Sequence, residues 1–129
     1  MAESDRPTLI AAEPQVYVED IGAACAFYVD KLGFERIFSY GEPPFYAQVG
    51  CDGARLNLRC VDGPIFAAGF RASNDPLAAM ITVNGIDGLF SSYDAAAVEL
   101  HQRLRREPWG ARTFIVRDPD DNLICFAGE

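Results

Sequence analysis

Shifted by 65 positions, so that Val18 meets Val83, the chain falls on itself: Val18, Ile21, Ala24, Cys25, Tyr28 and Leu32 lie over Val83, Ile86, Leu89, Phe90, Tyr93 and Ala97. In both halves the apolar positions after the first Ile recur at +3, +4, +7 and +11. That spacing lays one stripe along a helix, so two equivalent amphipathic helices are expected. Asp20 precedes the first helix as an N-cap would, and Gly33 stands where the chain must leave it with positive φ.

Short strand signals precede each helix, at Gln15 to Val18 and Ala79 to Val83. Segments with period-two character follow, at Phe34 to Tyr40, Phe45 to Val49 and Arg55 to Cys60 in the first half. Val98 to Arg103, Thr113 to Arg117 and Leu123 to Ala127 match them in the second. Turn chemistry separates the strands at Gly41-Glu42-Pro43-Pro44, Cys51-Asp52-Gly53 and Asp118-Pro119-Asp120-Asp121, and residues 61–76 connect the halves. Each half thus reads β-α-β-β-β, giving an α+β fold of two modules, about 12–61 and 77–128, in one domain of 129 residues. A helix covers only one face of each sheet. By alternation Leu56 and Leu58 face the helix, while Arg55, Asn57 and Arg59, with Gln15, Tyr17, Met80 and Thr82, line the opposite, concave side. Two curved mixed sheets so placed enclose a cleft suited to a small molecule.

Composition excludes several partners. There are 11 basic against 19 acidic residues, a net charge of −8 that repels phosphate backbones, so nucleic acid is not expected. No apolar run approaches the roughly 20 residues that span a bilayer, and the polar, acidic first residues do not suit a targeting signal, so a cytoplasmic protein without a membrane partner is expected. Cys25, Cys51, Cys60 and Cys125 form no Cys-x-x-Cys pair and read as reduced, mostly buried thiols.

The segments Val-Glu-Asp-Ile-Gly-Ala-Ala-Cys-Ala-Phe-Tyr-Val-Asp-Lys-Leu-Gly-Phe (18–34), Glu-Pro-Trp-Gly (107–110) and Val-Arg-Asp-Pro-Asp-Asp-Asn (116–122) resemble the glyoxalase, bleomycin-resistance and extradiol-dioxygenase (vicinal oxygen chelate) superfamily. The likeness spans about residues 12 to 128. Metal enzymes of that superfamily hold one divalent ion with four side chains. The resemblance places those positions at Glu13, Asn57, Ala78 and Cys125, a set with an alanine, a neutral amide and no histidine, so neither metal nor other cofactor is expected. Together with Glu-Pro-Trp-Gly this resembles the bleomycin-resistance branch, whose members are dimers that hold the drug in clefts between subunits. Pro14 matches a proline that directs an N-terminal arm onto the partner, implying a homodimer with arm exchange. Phe38, Tyr46 and Trp109 match aromatics that line the drug's planar tail, and Asn57 and Arg59 join them as ligand-binding candidates.

Simpler roles stand beside these. Phe38 suits a core position, Tyr46 could close a loop, and Trp109 could dock on a dimer partner or wait at a cleft mouth. The carboxylates of Asp118 to Asp121 read as a reverse turn, Cys125 as a small apolar cleft residue, and His101 as a polar rim or core-edge group. Arg55 and Arg59 put positive charge on the cleft strand although bleomycin is itself cationic, so they need Glu13, Glu19 or another acid, or a different ligand. The expected function is non-catalytic sequestration of a planar small molecule, with no catalytic residue. The alternatives are an isomerase or lyase using Arg59 at an oxyanion and Glu13 as base, and a regulatory module presenting its cleft to another protein.

Overall fold

In a computed structural model, residues 6–63 and 76–129 are described, so most of the connection expected at 61–76 lies outside the described residues. The first module runs β1 (Gln15–Val18), α1 (Ile21–Ala26), β2 (Glu35–Tyr40), β3 (Tyr46–Cys51) and β4 (Ala54–Cys60). The second runs β5 (Leu77–Thr82), α2 (Ile86–Ala95), β6 (Leu100–Arg106), β7 (Arg112–Arg117) and β8 (Leu123–Gly128). The β-α-β-β-β order therefore holds in both halves, with the largest displacement of strand ends at β6.

The two sheets share one topology, β1-β4-β3-β2 and β5-β8-β7-β6. In each, the outer first strand runs parallel to the last and the other pairs are antiparallel. The helix-facing side of the first sheet is walled by Val16, Val18, Ala47, Val49, Leu56 and Leu58, none more than 1% exposed. Removing each of the larger aliphatic side chains from water contributes roughly 1.5–3 kcal/mol. Phe114 and Phe126 play the same part in the second sheet, and the core they build is continuous with that of the first.

The expected stripe holds in the first helix. Asp20 caps it through Oδ1, which accepts from the Ala23 amide at 2.8 Å, and Ala24, Cys25, Tyr28 and Leu32 are all buried. The helix widens into a π-helical turn over Phe27–Lys31 before Gly33 turns the chain at φ 78°. The second helix lacks the π turn and ends one residue earlier in the repeat. It stops at Ala95, short of the expected position of Ala97, which is exposed. The Val98 amide reaches back to the Tyr93 carbonyl and the Ala97 amide to that of Asp94, with Ala97 itself left-handed at φ 58°. That bond pair closes a helix by the Schellman arrangement, here with alanine where glycine is usual.

The stretch from Asp118 to Asn122 is a reverse turn, as expected, but it is also a joint between modules. Within the turn, the Asp121 amide bonds the Asp118 carbonyl at 3.0 Å. The buried Asp118 carboxylate accepts from the Tyr28 hydroxyl (2.8 Å), the Asp120 and Asn122 amides (2.9 and 2.8 Å) and the Asn122 side chain (2.9 Å). Asn122 Nδ2 also donates to the Tyr17 carbonyl of β1, and the Glu19 amide donates to Asp120. Burial raises the Asp118 carboxyl above the usual aspartate range, and burial with the Asp118 charge pushes the Tyr28 phenol well up.

Candidate functional site

Strand register arranges the open face of the first sheet as two rows of side chains. Phe38 pairs with Gln48, Gln48 with Asn57, and Asn57 with Gln15. One step along the strands, Tyr40 pairs with Tyr46, Tyr46 with Arg59, and Arg59 with Tyr17. Leu56 and Leu58 face the helix, so the side chains between and beyond them point away from it, as alternation required. Four of the five candidates, Phe38, Tyr46, Asn57 and Arg59, thus share one face.

A bulge places Phe38 there. Arg36 pairs with Val49, whose side chain belongs to the core, and the shift between Arg36 and Phe38 moves the following residues to the other face. Phe38 is consequently 41% exposed rather than a core residue, with its ring centroid 5.9 Å from that of Tyr46 and the planes inclined by 35°. The Tyr46 hydroxyl accepts from Gln15 Nε2 at 3.2 Å, and Gln48 Nε2 donates to Asn57 Oδ1 at 2.9 Å and to Glu13 Oε1 at 3.2 Å. Gln15, Gln48, Tyr17 and Tyr40 were not among the candidates. Alternation placed Gln15 and Tyr17 on this side, but only the cross-strand register shows that they adjoin Asn57 and Arg59.

The equivalent face of the second sheet is more apolar. Ile115, Leu123 and Cys125 form a small buried cluster apart from the main core, with Met80 paired to Cys125 and 57% exposed. At one end the buried Glu107 carboxylate accepts from Arg105 Nε and Thr113 Oγ1, both at 2.8 Å, and Gln102 Nε2 donates to Thr113 Oγ1 at 2.9 Å. The bond from Arg105, then that from Thr113, holds the Glu107 carboxyl below the usual glutamate range. A depressed carboxyl adds stability above its unfolded value that disappears as pH falls through the folded one. The stability advantage of the native chain over Glu107→Gln should therefore shrink as pH drops below about 4.3, which thermal melts between neutral and acid pH check.

Trp109 stands apart from the other four candidates. It belongs to the Glu107–Gly110 turn between β6 and β7 and is 72% exposed. A cavity of about 840 Å³ lies elsewhere, between the β3–β4 turn and β5 with α2, and is lined by Glu13, Arg55, Leu56, Met80, Tyr93 and Phe126 among others. None of the five candidates lines it. Its floor is the edge of the core, whereas paired rings and a row of amides occur on the open face.

Among the described residues the arginines do not find the acids expected of them. Arg55 folds back on its own hairpin, Nη1 donating to the Asp52 and Ala54 carbonyls at 2.9 Å. It lies across Gly50, where a Cβ would meet its side chain at 2.6 Å. Arg59 is exposed, and Glu13 bonds Gln48 instead.

The four positions implied for a metal do not fit one. Glu13 and Asn57 are both bonded to Gln48. Ala78 packs against the core, and the register sets Met80, not Ala78, beside Cys125. Burial, then the Glu107 charge, raises the Cys125 thiol. Among the described residues no three His, Cys, Asp or Glu side chains gather as a metal would need. All four cysteines are free. Cys25 and Cys125 are buried, but Cys60 is only partly so and Cys51 is exposed, a correction to the expectation that most are buried. His101, at the partly buried edge of β6, lies 2.7 Å through Nδ1 from Arg117 Nη2. No helix among the described residues is long and apolar enough to cross a membrane.

Comparison with known proteins places this architecture. The family model of the Glyoxalase/Bleomycin resistance protein/Dioxygenase superfamily matches residues 10–126. The chain belongs to that superfamily. Within it, a bleomycin resistance protein of Geobacillus stearothermophilus is 31% identical over 130 residues, covering 92% of this chain and 96% of that one. The crystal structure of a bleomycin-binding protein from bleomycin-producing Streptomyces verticillus, complexed with copper(II)-bleomycin, superposes with a TM-score of 0.77 at 26% identity, covering 96% of this chain and 99% of that one. A lactoylglutathione lyase from Agrobacterium tumefaciens shares the superfamily fold at a TM-score of 0.70 and 21% identity, with 95% of each chain covered.

Proposed function

We propose that this protein is a non-catalytic binder of the bleomycin-resistance type, which sequesters a planar small molecule in a cleft of a homodimer. The observation that carries the proposal is the Phe38–Tyr46 ring pair, Phe38 exposed and Tyr46 partly buried, beside the amides of Gln48 and the buried Asn57 on the sheet face away from the helix. Stacking on such a pair adds about 0.5–1.5 kcal/mol per ring contact beyond area burial, and amides orient the ligand without charge. No bond need break, and the donor set gives no reason to invoke a metal.

A second copy supplies what one chain lacks. Leu9 and Ile10, before Pro14, are 98% and 92% exposed, and all six residues of the edge strand β2 are exposed. Apolar side chains and an unpaired strand edge of this kind favour burial against a partner. An N-terminal arm lying on the other subunit would cover Leu9 and Ile10, and a cleft between copies would bring the apolar face of the second module, with Trp109, opposite the aromatic face of the first. Both modules then act as one domain in a cytoplasmic dimer, without nucleic acid. The isomerase or lyase alternative needs Glu13 as a free base, and its engagement by Gln48 counts against it.

Metal-free bleomycin added to the purified chain should quench the single tryptophan, Trp109, saturably with micromolar or tighter affinity. A flat titration would reject bleomycin-type sequestration.

A further inference from the structure

Arg59 occupies the centre of the tyrosine row, on β4, with Tyr17 of β1 on one side and Tyr46 of β3 on the other. Most other arginines of the two sheets are engaged: Arg55 with backbone carbonyls, Arg103 with Asp94, Arg105 with Glu107, Arg106 with the Gly110 carbonyl, Arg112 with Asp87 and Arg117 with Asp121, while Arg36 is paired with the core residue Val49 and so lies away from this face. Among the described residues Arg59 has no hydrogen bond or ion pair. The acid on the same edge of the face, Glu13, is directed to Gln48. Among the described residues an uncommitted arginine therefore stands on the strand between those of Tyr17 and Tyr46, next to the Phe38–Tyr46 pair.

A guanidinium offers a planar fork of donors that matches a carboxylate with two parallel bonds. Beside it the rings offer flat surface, and the amide row offers neutral hydrogen bonds. We infer that the open face of the first module takes a planar aromatic ligand bearing a carboxylate, the carboxylate on Arg59 and the ring system over Phe38 and Tyr46. This rests on the planar-ligand function proposed above and adds an anchor for an anionic group beside the stacking surface, which the planar tail of bleomycin need not use. The chain's net charge of −8 opposes the approach of any anion, so a preference for one reports Arg59 itself and not the summed field.

Calorimetric titration of the full chain with three naphthalene probes, the carboxylate, the carboxamide and the methylammonium, tests it. The native protein should bind naphthoate about tenfold or more tightly than the carboxamide, and the ammonium most weakly. Arg59→Gln should bring naphthoate and carboxamide level, and Arg59→Lys should keep part of the preference. Because Arg59 is exposed, both variants should melt within about 0.5 kcal/mol of the native chain. Equal binding of the three probes, or a naphthoate preference that survives in Arg59→Gln, overturns the charge assignment while leaving planar-ligand binding intact. Bleomycin bound but no naphthalene probe bound has the same meaning. Failure of the probes and of bleomycin together overturns both.

Discussion

Asp118→Ala should lower stability by about 3–5 kcal/mol, because several neutral buried donors lose their shared acceptor together. Four donors lose their acceptor at once: the Tyr28 hydroxyl, the amides of Asp120 and Asn122, and the Asn122 side chain. Tyr28, Asn122 and Asp118 are 0%, 5% and 2% exposed, so water does not readily replace the carboxylate. Each unsatisfied buried donor costs roughly 1–3 kcal/mol. The sum is not reached, because the carboxylate is itself penalised by burial, as its raised pKa shows, and alanine relieves that penalty. At this chain length the loss corresponds to a fall in Tm on the order of 10–20 °C. Tyr28→Phe, which removes one donor and leaves the turn bonds in place, should cost only about 1–2 kcal/mol. A thermal melt in which Asp118→Ala is no worse than Tyr28→Phe would show that the turn does not tie the modules together.

The second large effect belongs to Phe114. Its ring, fully buried, stacks on Phe126 at 5.1 Å and 16° and meets Phe90 and Tyr93 edge-on at 5.4 and 6.0 Å. It fills the space between α2 and the second sheet. Phe114→Ala removes the transfer free energy of a large ring, three ring contacts and the packing around the void, about 3–5 kcal/mol together. Phe114→Leu, which keeps most of the volume, should cost markedly less. Chemical denaturation of both variants checks this. Equal midpoints would mean that the neighbouring rings close the gap.

These two residues also mark what the sequence made legible. Phe114 lay in a segment of period two and Tyr28 on a stripe of helical period, and both are buried where those periods put them, because local spacing decides which side faces the sheet or helix. Asp118 was legible as a turn and no further, since its Tyr28 partner lies 90 residues away and nothing local announces the bond. Ala97 obeyed the repeat, yet the run of alanines before Val98 gave no residue to hold another turn against the core, and the helix closed early.

The candidate site divides in the same way. Asn57 and Arg59 were placed by alternation around Leu56 and Leu58. Phe38 reached the same face only through a bulge, which hydrophobic period does not encode. Gln15 too was placed on this side by alternation, but only the register of β1 and β3 on either side of β4 sets it and Gln48 beside Asn57. Register also sets Met80, not Ala78, beside Cys125. The resemblance to the superfamily supplied the aromatic positions, but the uncommitted state of Arg59 among the described residues is a property of side-chain geometry and had no signal in the sequence.

Calorimetry of metal-free bleomycin on the native chain and on a Phe38→Ala, Tyr46→Ala double variant tests ligand sequestration on the open face most directly. The account predicts saturable micromolar or tighter binding to the native chain, weakened at least about tenfold in the double variant by loss of both stacking surfaces, while thermal unfolding barely shifts because Phe38 is a surface residue and Tyr46 is only partly buried. Undiminished affinity in the double variant, or no saturable heat with the native protein, would contradict it.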